Sequence, residues 1–101
     1  IRINNALLYI EQNMSEPIII SDLAKVACLS PTQFKKNFKK QLGITVLEYI
    51  TSLRMKKAQA LLTHTDYPLQ IIAEQVGYTS LSAFSRKFSQ YFGLSPTKFK
   101  Y

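Results

Sequence analysis

Two stretches of this sequence carry side chains that could recognise something. In the first, Thr32, Lys35, Lys36 and Lys39 recur opposite Phe34 and Phe38, with Lys40 later in the stretch. In the second, Ser82, Ser85, Arg86 and Ser89 recur opposite Phe84, Phe88 and Phe92, with Leu81 at the leading edge and Lys87 to the side. Ammonium, guanidinium and hydroxyl groups donate hydrogen bonds, and the cations among them attract phosphate. The chemistry on offer is recognition of an anionic surface rich in acceptors.

Catalysis finds no comparable support. The 1 His, 1 Cys and 6 carboxylates are scattered over different segments, with neither metal-ligand spacing nor a nucleophile beside a base. The expectation is therefore no enzyme, no metal site and no cofactor. His64 is read as a favourable charge at a helix C-terminus. Cys28 cannot form an internal disulfide, which fits a reducing compartment, and is expected to pack under a turn.

The 101 residues make one ordinary domain or two very small ones sharing a core. With 13 Lys+Arg against 6 Asp+Glu the net charge is +7, which calls for an acidic partner, nucleic acid or an anionic membrane. A membrane-surface module would need an exposed Leu/Phe face beside its lysines, whereas here the aromatics are required inside. Neither a signal peptide nor a bilayer-spanning apolar run is present. The chain opens at Ile1 without an initiating Met, and is expected to be part of a longer protein.

The elements that must position these residues are helices. Ile3, Ala6, Leu7, Ile10 and Met14 have helical spacing in a first segment that ends before Ser15. Ser21 is expected to cap a short helix from Asp22 to Cys28, with Leu23, Ala24 and Ala27 inward. Ser30, Pro31 and Gln33 open a third, carrying Phe34, Phe38 and Leu42, which Gly43 stops. The longest, about Thr45–Thr63, starts with a Thr45–Glu48 capping box. It puts Val46, Ile50, Leu53, Ala60 and Leu61 on one broad apolar face, flanked by Leu47 and Tyr49. A helix led by Tyr67-Pro68 holds Ile71, Ile72, Ala73 and Val76 and ends at Gly77. Thr79 or Ser80 caps the next, which Gly93 stops, and Ser95-Pro96 opens a last one through Phe99. No segment alternates with period two, so the expected fold is all-α.

The two halves repeat. Leu23-Ala24, Ala27 and Ser30 match Ile72-Ala73, Val76 and Thr79 at an offset of 49 residues. After a one-residue insertion, Phe34, Phe38, Leu42, Gly43, Ile44 and Thr45 match Phe84, Phe88, Phe92, Gly93, Leu94 and Ser95 at an offset of 50. Each half reads as short helix, tight turn, second helix: a helix-turn-helix, whose second helix enters the major groove of DNA. The predicted organisation is a first subdomain over 1–44, a linker helix over 45–63 and a second subdomain over 64–101. Two such units on one rod would place their recognition helices in adjacent major grooves of an asymmetric site.

Facing each recognition helix away from its Phe residues assigns the contacts. Thr32, Lys35 and Lys36, and Leu81, Ser82, Ser85 and Arg86, are the candidate base readers. Lys39, Lys40 and Lys87 are better placed for phosphates, which orient without specifying sequence. Arg54 suits either a phosphate or a structural ion pair. Lys98 is placed among the phosphate contacts, and with Arg2, Lys25 and Lys100 adds to the general positive field.

The stretch IIAEQVGYTSLSAFSRKFSQYFGLSPTKFK, together with Arg54-Met55, Ala58 and Leu61-Leu62, resembles the DNA-binding domain of the AraC/XylS family of bacterial transcription regulators. The resemblance covers nearly the whole chain. Two departures are Phe99-Lys100 in place of an aromatic-Arg ending and Val46 in place of a Pro. The resemblance implies seven helices in two helix-turn-helix subdomains joined by a long central helix. It also implies base contacts at the readers named above, regulation of promoters through RNA polymerase, and activity in the bacterial cytoplasm at the nucleoid. Any effector ligand or dimerisation would belong to an upstream domain.

Overall fold

The computed structural model describes residues 2–100 and is helical throughout its regular elements. Their order is α1 (Arg2–Gln12), α2 (Ile20–Val26), α3 (Pro31–Leu42), α4 (Val46–His64), α5 (Leu69–Gln75), α6 (Leu81–Phe92) and α7 (Pro96–Lys100). Among the described residues there is no strand. The chain divides into two compact units, Ile1–Ser52 and Leu53–Tyr101, with the division inside α4.

Local chemistry sets most helix ends. Ser30 Oγ accepts from the Gln33 backbone N–H at 3.3 Å, and Ser80 Oγ from Ala83 N–H at 3.1 Å. Thr45 and Glu48 form the full reciprocal box: Thr45 N–H donates to Glu48 Oε1 at 3.0 Å, and Glu48 N–H to Thr45 Oγ1 at 3.1 Å. Ser95 caps α7 through Lys98 N–H at 3.2 Å. Gly43 and Gly93 end α3 and α6 at φ 79° and 81°, the left-handed conformation in which a side chain is strained.

Two expected boundaries move. Ser21 is not a cap, because α2 starts at Ile20, two residues before the expected Asp22, and the Ile19 carbonyl accepts from both Asp22 N–H and Leu23 N–H. Met14 lies beyond α1, which closes when the Asn13 side-chain amide donates to the Tyr9 carbonyl at 2.9 Å.

In the first unit α1, α2 and α3 pack together and bury Ile3, Ala6, Ile10, Leu23, Ala24, Ala27, Phe34 and Phe38, with Val46 and Ile50 of α4. Phe38 meets Tyr49 edge-on at 5.5 Å between ring centroids. In the second unit Met55, Ala58 and Leu62 of α4 join Ile72, Ala73, Val76, Phe84 and Phe88 in one core. Phe88 meets Phe99 edge-on at 5.7 Å, repeating the Phe38–Tyr49 contact 50 residues on. Each fully buried aromatic contributes about 1.5–3 kcal/mol by leaving water. The Phe residues are therefore core residues and not stacking platforms for bases.

The apolar assignment of α4 needs correction. In the second unit the stripe runs through Met55, Ala58 and Leu62, spaced by three and four. Ala60 lies two residues from both neighbours, on the far side of the helix, and is exposed. Leu42 is also partly exposed, whereas its counterpart Phe92 packs on the second core against Phe99.

The two turns align closely. Leu29 N–H donates to the Ala24 carbonyl at 2.9 Å, and Tyr78 N–H to the Ala73 carbonyl at 2.9 Å. Both are the wide hydrogen bond of a helix ending in a left-handed residue. That residue is Cys28 in one unit and Gly77 in the other. Cys28 is therefore exposed at the turn and does not pack beneath it. The caps Ser30 and Ser80 are equivalent, so Ser30 matches Ser80 and not Thr79, and the inserted residue is Thr79.

Candidate nucleic-acid interface

Burying Phe34 and Phe38 turns the opposite side of α3 to solvent. Thr32, Lys35, Lys36, Lys39 and Lys40 are all exposed there. They line one side of a groove of about 770 Å³. Its remaining lining is Ile20 at the start of α2, with Thr45, Val46 and Leu47 at the start of α4. Leu47, marked in the sequence only as a flank of an apolar face, is 68% exposed. Spacing alone cannot reveal such a floor, which depends on how α2 and α4 meet α3.

On α6 the same construction gives a less charged surface. Ser82 and Arg86 are exposed, while Ser85, Lys87 and Ser89 are half-buried. Leu81 is half-buried too, and part of it packs on the core of the second unit. Lys98 is exposed on α7. The side chain of Arg2 lies outside the described residues.

Arg54 is half-buried, with its guanidinium carbon 5.8 Å from the centroid of the Tyr78 ring. Burial pushes the Arg54 pKa down and that of Tyr78 up, and each group partly opposes the shift of the other. Glu48 is held below the ordinary carboxylate range, first by the Thr45 backbone N–H and then by its hydroxyl. Burial raises the Tyr49 hydroxyl, as does the negative charge of Glu11. Among the described residues no three of His, Cys, Asp and Glu are grouped to hold a metal ion. No helix there is long and apolar enough to cross a membrane.

A short helix, a four- or five-residue turn and a longer helix with an exposed polar face, occurring twice, define a tandem helix-turn-helix DNA-binding domain. A family model described as a helix-turn-helix domain matches residues 23–101. The chain belongs to that family in its AraC type, whose members are DNA-binding transcription regulators.

Among curated relatives it is 36% identical over 102 residues to the probable transcriptional regulator LumQ of Photobacterium leiognathi, covering 99% of this chain and 41% of LumQ. Among solved structures it resembles the C-terminal domain of AraT, a response regulator from Geobacillus stearothermophilus. The TM-score is 0.93 at 32% identity, covering 98% of this chain and 83% of that one. It also shares the fold of the DNA-binding domain of AdpA, solved in complex with a target DNA. There the TM-score is 0.91 at 24% identity, covering 97% of this chain and 88% of that one. The chain spans about two fifths or less of the length of the first curated relatives it matches.

Proposed function

We propose that both units read DNA, so that this chain recognises an asymmetric duplex site with one box for each recognition helix. The observation carrying this reading is the repeat itself: α3 and α6 each bury two Phe residues and leave a donor-bearing face open. Thr32, Lys35 and Lys36 act on base edges in the first box. Leu81, Ser82, Ser85 and Arg86 act in the second, where the half-burial of Leu81 leaves Arg86 the principal reader. Lys39, Lys40, Lys87 and Lys98 contact phosphates. Arg54, stacked on Tyr78, contributes more to the second unit's structure than to DNA.

The site lies in a promoter, where the bound domain meets RNA polymerase. Any effector or dimer contact belongs to other parts of the regulator, since the relatives extend well beyond the matched span. The protein then works in the bacterial cytoplasm, at the nucleoid. The AdpA domain, of the same fold, was solved on a target DNA, which supports the duplex as the partner.

Selection of binding sites from a randomised duplex pool at a stated salt concentration tests the reading. Two short boxes about one helical turn apart are expected. A single box would leave one unit without a reading role. No enrichment would reduce the +7 charge to a non-specific field.

A further inference from the structure

The groove beside α3 has an unusual balance of hydrogen-bonding groups. Four of its polar side chains are Lys35, Lys36, Lys39 and Lys40. An ammonium has three donors and no acceptor. The Thr45 hydroxyl already accepts from Glu48 N–H, and the Glu48 carboxylate is turned back on Thr45 N–H. Thr32 supplies the one hydroxyl in the groove not used in a cap. Beside these donors lies the apolar floor, with Leu47 the most open of its side chains.

The four bases answer such a groove differently. Guanine offers two neighbouring acceptors in the major groove, N7 and O6. Thymine offers O4 and an apolar methyl group. Cytosine presents only its N4–H₂ donor, and adenine sets an N6–H₂ donor beside its N7 acceptor, so each gives a pair of ammonium groups fewer acceptors than guanine does. Asn or Gln pairs adenine bidentately and Asp or Glu accepts from cytosine N4–H₂, and none of these lines this groove, where the Thr32 hydroxyl alone suits any base.

We propose that the box read by α3 is a run of guanine and thymine on one strand, with Lys35 and Lys36 on guanine N7 and O6 and Leu47 against a thymine methyl. The assignment rests on the DNA-binding reading above and adds the base class to it. It also makes Leu47, on α4 and outside the helix-turn-helix, a specificity residue. The second box carries no such restriction. Of the positions equivalent to the four lysines, Ser85, Arg86, Ser89 and Gln90, only one is a cation.

The test uses the whole chain and the site selected from the random pool. The α3 box is the one whose preference relaxes when Lys35→Met and Lys36→Met are introduced together. Replacing its guanines with 7-deazaguanine, which removes the N7 acceptor, should weaken wild-type binding about tenfold and leave the double variant unchanged. Replacing its thymines with uracil, which removes the methyl, should weaken wild-type binding several-fold and leave Leu47→Ala unchanged. Because the changes are made in the DNA, a folding defect cannot imitate them.

Two boxes of which the lysine-dependent one mixes guanine and thymine with adenine and cytosine along each strand, so that neither strand carries a guanine and thymine run, would overturn the base assignment and leave the DNA-binding reading standing. Loss of both boxes would remove that reading as well. Unchanged wild-type affinity for the uracil duplex would remove Leu47 from recognition.

Discussion

Cys28 and Gly77, 49 residues apart, occupy the same place in the two turns, at φ 59° and 94°. Glycine enters this region freely, whereas a residue with a Cβ is strained there by about 1–2 kcal/mol. Cys28 is exposed, so little packing opposes its removal. Cys28→Gly should therefore stabilise the protein by about 1 kcal/mol. Gly77→Ala should destabilise it by at least as much. Urea midpoints of both variants measure this, and a lower midpoint for Cys28→Gly would show that its side chain matters more than the strain.

The cap at Ser80 determines where α6, the second recognition helix, begins. Its hydroxyl holds the Ala83 N–H at 3.1 Å. Ser80→Ala should cost about 1 kcal/mol of stability, and Ser80→Asp should restore most of it. Thermal melts of the two variants make the comparison. Equal losses would point to a role for the hydroxyl other than capping.

The Glu48 carboxylate is held below its ordinary range by Thr45. Its folded pKa is depressed, so its contribution is present above the unfolded value and is lost as pH falls through the folded one. Stability should decline on acidification below about pH 4, and Glu48→Gln should flatten that part of the profile. Denaturation midpoints from neutral pH to about pH 3 follow the effect. The same acid slope in the variant would assign it to other carboxylates.

Base readers and phosphate contacts differ in how they respond to sequence and salt. Lys36→Ala or Arg86→Ala should cost about 1–3 kcal/mol on the selected site and relax the preference within one box. Lys40→Ala should weaken all duplexes alike and reduce the salt slope by about 1. Titrations on selected and random duplexes at several salt concentrations separate the two roles. Equal losses on both duplexes for Lys36→Ala would make it a phosphate contact.

The fold was legible because its signals are local and repeated. Phe at every fourth position, hydroxyl caps at Ser30, Thr45, Ser80 and Ser95, and Gly43 and Gly93 as stops all act within a few residues. What escaped the sequence depends on tertiary placement. Ser21 looks like a cap, yet the Ile19 carbonyl starts α2 before it. Cys28 looks like a small core residue until the turn conformation is known. Leu81 fits the reading edge, but the core of its unit takes part of its side chain. The exposed face of α3 followed from the Phe spacing, and that of α6 followed for Ser82 and Arg86, while Ser85 and Ser89 are half-buried. The apolar floor at Leu47 did not, since it joins residues from three elements.

The lysines of α3 also act on each other. Lys35 and Lys39, like Lys36 and Lys40, stand four apart on one helix face, and each like-charged pair costs roughly 0.2–0.5 kcal/mol. In the free protein α3 thus carries internal repulsion, which a polyanion would quench. The helix that makes contact is then the helix that tightens on contact. Its amide hydrogens should exchange more slowly with solvent on any duplex, cognate or not, while those of α6 respond chiefly to the matching sequence.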